Sequence, residues 1–172
     1  MTTAGNETGS WSAKRNQLVL IRRLMTELVY GTVKAVGTID WYLQQCVTRP
    51  LNKIDKLVLN VLRVSVYQLL YMDKIPASAA CNEAVNLARL FSHEGTAKFV
   101  NGVLRGLLRK KDSFIFPDAE KETADYISLA MYHPRWLVKK HKRTTGQISK
   151  IFRQTPMFCF IKTVHHVYIA IL

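Results

Sequence analysis

One segment, from about Thr96 to Lys110, constrains this chain more than any other. Its apolar residues recur at helical spacing with no exception. At 100° per residue, Phe99, Val100, Val103, Leu104, Leu107 and Leu108 fill one half of the helical wheel. Lys98, Asn101, Gly102, Arg105, Gly106 and Arg109 fill the other half. Thr96 is the expected N-cap, and Lys110 and Lys111 stand where a helix C-terminus favours cations. A face that merely meets solvent mixes charge signs and avoids glycine, which costs about 1 kcal/mol against alanine inside a helix. Here three like charges and two glycines share the face, so a close approach by another molecule or element is expected.

The preceding segment, about Ala79 to Phe91, reads as a partner helix with Cys81, Ala84, Val85 and Ala88 on one side. Small residues there let another helix pack at short range. The sequence SHEG supplies the turn between the two helices.

The rest of the chain repeats the helical pattern. A helix from about Ser12 to Tyr30 or beyond carries the stripe Leu18, Ile21, Met25 and Leu28, with Gly31 as a possible break. Thr38 is the expected N-cap of a helix holding Ile39, Tyr42, Leu43, Cys46 and Val47, ended by Arg49-Pro50. Trp41 reads as packing near the surface, with base stacking as its alternative. Asn52 to Asp55 resembles a capping box ahead of the most hydrophobic helix, which runs to about Met72. Within it VLRVSVY alternates like a strand, but Lys56, Asn60, Arg63 and Tyr67 form one narrow stripe at helical spacing, and that decides for a central helix. Residues 112–125 carry five acids against one Lys and read as a linker. A short helix from Ala124 to Met131 follows, then one started by His133-Pro134 with Trp136, Leu137 and Lys140 along one side.

The net charge of +13 is unevenly placed. Up to Asp125, seventeen Lys and Arg face all twelve acids; from Tyr126 onward there are eight Lys and Arg and no acid. Excess cation suggests an anionic partner. The cluster KKHKR, Lys139 to Arg143, reads as solvated surface or as a second nucleic-acid contact. Cys46, Cys81 and Cys159 stand far apart, as free thiols do in a reducing compartment. The N-terminal residues are polar, with no secretory signal, and residues 1–11 are expected to be disordered. The tail MFCFIKTVHHVYIAIL is apolar but too short and interrupted for a span, so no membrane partner is expected. His165, His166 and Cys159 lack a fourth ligand at usable spacing, so no metal site is assigned.

The block IPASAACNEAVNLARLFSHEGTAKFVNGVLRGLLR resembles the NusB-type all-helical RNA-binding domain. With ELVYGTVKAVGTIDWYL before it and YHPRWLVKK after it, the stretch from about Leu24 to Lys140 is similar to the N-terminal portion of bacterial rRNA 5-methylcytosine methyltransferases. The resemblance implies an all-α NusB-like bundle over residues 12–111. It further implies a linker and short helices over 112–146, leading toward a methyltransferase domain absent from this chain, and an atypical tail over 147–172. That tail is what a shifted or prematurely ended reading frame would produce. The family also places two further helices ahead of the first one read here, so part of its usual core is expected to be missing or replaced. The partner it implies is RNA, small-subunit rRNA above all, in the cytoplasm. A ribosomal or transcription-elongation protein is the alternative, as for a NusB-type module in antitermination; a nonfunctional remnant is a third reading.

S-adenosylmethionine is implied only for the full-length parent. No glycine-rich cofactor turn occurs here, and no cysteine follows a proline as the family's catalytic ones do. Glu83 and His93 could be paired as acid and base, but read better as a structural hydrogen bond and a turn residue. No catalytic residue and no cofactor site are therefore assigned. The candidate RNA-binding residues are Lys98, Asn101, Arg105, Arg109, Lys110, Lys111, Lys139 and Lys140. Lys98, Arg105 and Arg109 are spaced roughly 6–11 Å along the axis at 1.5 Å per residue, comparable to phosphate spacing. The alternative is that Gly102 and Gly106 admit a neighbouring helix, with the cations around its rim.

Overall fold

The computed structural model describes residues 7–145, and these form seven α-helices and two short 3-10 turns with no β-strand. The helices are α1 (Glu7–Lys34), α2 (Val36–Cys46), α3 (Lys56–Tyr71), α4 (Ala77–Phe91), α5 (Glu94–Lys110), α6 (Thr123–Ala130) and α7 (Arg135–Thr145). The all-α expectation is met. The tail over 147–172, with Cys159, His165 and His166, lies outside the described residues, as do residues 1–6.

The central helix is α3, which packs against α1, α2, α4 and α5. Its N-terminus is capped by Asp55 alone, whose Oδ1 accepts the N–H of Leu57 at 2.9 Å and of Val58 at 3.3 Å. Residues 51–53 form a 3-10 turn, so Asn52 takes no part in the cap expected of it. Leu62 and Val66 are fully buried. Lys56, Asn60 and Arg63 mark the polar stripe, and Arg63 forks onto Asp40 of α2 at 2.8 and 2.7 Å. Tyr67 departs from that stripe and is buried at 2% exposure, because α1 passes directly over its ring at Gly31.

Burial pushes the Tyr67 hydroxyl up to about 12 and raises that of Tyr71, which also hydrogen-bonds Tyr132. The folded state thus favours the neutral phenols. Their contribution to stability is complete below the ordinary value near 10 and is lost as pH rises from there toward the folded value. Tyr67 alone is expected to withdraw roughly 2–3 kcal/mol between about pH 10 and 12, at ~1.4 kcal/mol per tenfold change in proton affinity. Urea midpoints measured from pH 8 to 11.5 check this; a flat profile contradicts it.

Three sequence expectations change at the first two helices. The first helix begins at Glu7, ahead of Ser12, and continues through Gly31. Extending a helix past its nucleus costs little, so weak formers such as Thr8 and Ser10 are carried along. Its stripe does not become core: Leu18, Ile21 and Met25 are 44–59% exposed, and only Leu28 packs on the bundle. The helix meets the bundle near its last turns, where Gly31 and Thr32 are buried, and periodicity alone marks a face without supplying its partner. Thr38 is no cap. A one-residue joint at Ala35 starts α2 early, and Thr38 sits buried inside it, donating to the carbonyl of Leu129 at 2.8 Å.

That hydrogen bond holds α6 on α2, and α7 packs on α6. Ile127 and Val138 are the buried residues of this pair. The joint between them bends at Tyr132, whose φ of 59° is left-handed. Its ring meets Tyr71 edge-on at 5.9 Å, a contact that offsets the ~1–2 kcal/mol such a backbone costs. Arg135 pairs with Asp125, tying the start of α7 to α6. The side expected to carry Trp136, Leu137 and Lys140 is turned from the bundle: Val138 is buried at 0% and Trp136 stands 66% exposed. The aromatic start of the expected linker is packed as well. Phe114 and Phe116 lie with Tyr42 around Trp41 at centroid distances of 5.0–6.1 Å, so Trp41 is a packing residue.

Candidate nucleic-acid interface

The helix pair α4 and α5 forms as its spacing predicts. Ala80, Cys81, Ala84 and Ala88 are buried on α4, with Ala97, Val100, Val103, Leu104 and Leu107 buried on α5. The cap differs from expectation. His93 caps α5, its Nδ1 accepting the Thr96 N–H at 3.3 Å, while the Thr96 hydroxyl shares a hydrogen bond with Ser92 at 2.8 Å. A neutral imidazole nitrogen accepts as a serine hydroxyl does, so the cap shifts back to the residue whose side chain reaches the free N–H. Arg89 pairs with Glu94 at 2.8 Å and its hydrogen bond holds the Glu94 carboxyl below the usual range, which closes the turn. His93 is thus structural, and Glu83 is exposed on α4.

Opposite the buried side, Lys98, Gly102, Arg105 and Arg109 are exposed, with Asn101 and Gly106 half-buried. A Cβ built on Gly102 or Gly106 meets nothing within 4 Å, so no described helix uses these glycines for close packing. Gly102, Arg105, Leu108 and Arg109 instead line a shallow open depression of about 510 Å³. Lys110 turns away from it: its Nζ donates to the carbonyl of Gln45 at 3.2 Å, offsetting the negative end of α2. Lys111 opens the 3-10 turn that ends α5 and is exposed. Lys139 and Lys140 lie elsewhere, exposed on α7.

One cation beside α5 escaped the sequence reading. Arg49, in the loop after α2, places its guanidinium 4.2 Å from the centre of the Phe99 ring of α5. It adds positive charge beside α5 from a residue that looked like a helix terminator. Burial raises the pKa of both Cys46 and Cys81, which favours the neutral thiols.

A profile of the NusB family matches residues 6–109, the stretch that holds α1 to α5. The chain belongs to the NusB family. Among curated proteins it is similar to the probable ribosomal RNA small subunit methyltransferase B of Bacillus subtilis, 42% identical over 120 residues that make up 69% of this chain and 26% of that protein. The protein of the same description from Synechocystis sp. is 36% identical over 143 residues, 78% of this chain and 31% of its own length. The ribosomal RNA small subunit methyltransferase B of Proteus mirabilis is 28% identical over 150 residues, 84% and 34% respectively. The chain therefore spans between about a quarter and a third of the length of these relatives. No solved structure matches it.

An S-adenosylmethionine pocket of the doubly wound type needs a strand-to-helix turn, and the described residues contain no strand. They also hold no group of three or more His, Cys, Asp or Glu that could bind a metal. No helix among them is long and apolar enough to cross a membrane.

Proposed function

We propose that this NusB-family chain is an RNA-binding unit of an rRNA methyltransferase, and that it holds small-subunit rRNA on the outward face of α5. The observation that carries this reading is the pairing of Lys98, Arg105 and Arg109 with two glycines that have open space above them. Cations at phosphate-like spacing supply the electrostatic attraction, and a missing Cβ lets a sugar-phosphate strand lie close to the helix. The names of the relatives, ribosomal RNA methyltransferases, agree in substrate class. Lys110 contributes charge at the rim, being anchored to Gln45.

The test is the double variant Arg105→Ala/Arg109→Ala, titrated with a small-subunit rRNA fragment over a range of salt. Affinity is expected to fall by about tenfold or more, and the slope of log K against log salt to shrink by roughly 1–2, since each lost phosphate contact removes about 0.7–0.9. The melting temperature should not move, because both side chains are exposed. Unchanged affinity and slope would remove the face from consideration.

A second reading, a NusB-type module that binds a transcription or ribosomal protein, has one observation in its favour. Leu18, Leu20, Met25 and Tyr30 of α1 are 58–63% exposed, an apolar surface of the kind proteins use. It ranks second because nothing on α1 specifies a partner, whereas the α5 face specifies an anion.

A further inference from the structure

We propose that α7 carries a stacking platform for an unpaired RNA base, formed by Trp136 with the cations around it. This deepens the RNA-binding reading and rests on it. Trp136 is 66% exposed, whereas Val138, two residues on and nearly opposite on the wheel, is fully buried. The orientation of α7 is thus set by its packing on α6 and by the Arg135–Asp125 ion pair, and that orientation turns the indole outward. At 100° per residue, Lys139, Lys140 and Arg143 fall within about 60° of Trp136 on the same face. All three are exposed, and they extend about 10 Å along the axis from the indole. The whole helix, Arg135–Thr145, has five Lys and Arg and no acid.

The composition of that face identifies the occupant. A protein surface covering Trp136 would also have to desolvate the cations beside it, which is costly unless each is paired. A single-stranded nucleic acid satisfies both at once: the base stacks on the indole and the flanking phosphates meet the cations. Paired RNA does not fit, because its bases are already stacked and its edges lie in grooves. The platform therefore selects unpaired nucleotides, while the α5 face, built of cations and open backbone, holds phosphate in either form.

The experiment uses the full chain with two labelled probes, a uridine-rich single strand and a fully paired hairpin of equal phosphate number. Trp136→Ala is expected to weaken binding of the single strand by about tenfold, within the roughly 5- to 150-fold that one base–aromatic stack is worth. It should leave hairpin affinity and the salt slope of both probes unchanged. Trp136→Phe should restore most of the loss, and Trp136→Leu, apolar but without a ring to stack on, stands in for the alanine variant if that variant melts early. Wild-type affinity in Trp136→Ala, or an equal loss on both probes, overturns the platform. If the platform alone is wrong, Arg105→Ala/Arg109→Ala still weakens both probes. If neither probe binds the wild-type protein, the RNA-binding reading falls and the platform with it.

Discussion

Leu104→Ala is expected to destabilise the fold by about 3–4 kcal/mol, in the middle of the 2–5 kcal/mol range for such truncations. Leu104 is fully buried on α5, at the level where that helix faces the core. The cost depends on whether the surroundings can close the cavity. Here they have little freedom to do so. Ala80, Ala84 and Ala88 of α4 and Ala97 of α5 are all buried, and side chains this short cannot swing in to fill the space. For a domain of this size the loss corresponds to a fall in melting temperature of roughly 10–15 °C. Phe99→Ala or Leu108→Ala, at half-buried positions of the same helix, should cost less. A loss below about 1 kcal/mol for Leu104→Ala, measured by urea unfolding, would mean that α5 is not an integral part of the core. That outcome would also undercut the rigid presentation of Arg105 and Arg109.

The two faces of α5 were legible in the sequence because both sides of the helix are specified by side chains of that one segment. Val100, Val103, Leu104 and Leu107 are buried as their spacing implies, and Lys98, Arg105 and Arg109 are exposed. What was not legible depends on distant residues. Thr38 has the chemistry of a cap, but its acceptor is the Leu129 carbonyl, 91 positions away. Tyr67 sits in a polar stripe by spacing and is buried because α1 crosses it. Leu18, Ile21 and Met25 form a proper stripe on a stretch of helix that has no described helix beside it. The candidate site follows the same division. Its cations could be read from α5 alone. The anchoring of Lys110 on Gln45, the placement of Arg49 over Phe99 and the outward turn of Trp136 required the packing of α2 and α6.

Gly31→Ala is expected to reverse the usual effect of that substitution. In a helix interior the change ordinarily stabilises by about 1 kcal/mol, because alanine restricts the unfolded chain and covers the backbone. Gly31 lies inside α1, and its near neighbour Gly37 lies in the first turn of α2 with nothing within 4 Å of a built Cβ. Gly37→Ala should therefore gain stability, by roughly 0.5–1 kcal/mol. At Gly31 the same Cβ would collide with Cζ and the hydroxyl oxygen of Tyr67 and stand 2.6 Å from its Cε2. The ring has little room to retreat: it is 2% exposed, with the Tyr71 ring 5.2 Å away and the α3 core beneath. Helix α1 must then lift from α3, and overpacking of that kind costs about 1–3 kcal/mol or more, which outweighs the helical gain. A net loss of roughly 2 kcal/mol is expected, seen as a lower urea midpoint with an unchanged m-value. The cause can be isolated by a double-mutant cycle. In a Tyr67→Ala background the obstructing ring is gone, so adding Gly31→Ala should be neutral or stabilising, and the coupling between the two sites should approach the full penalty. If Gly31→Ala instead raises the melting temperature in the wild-type background, the close crossing of α1 over α3 is wrong, and with it the burial of Tyr67 and the alkaline loss of stability derived from it.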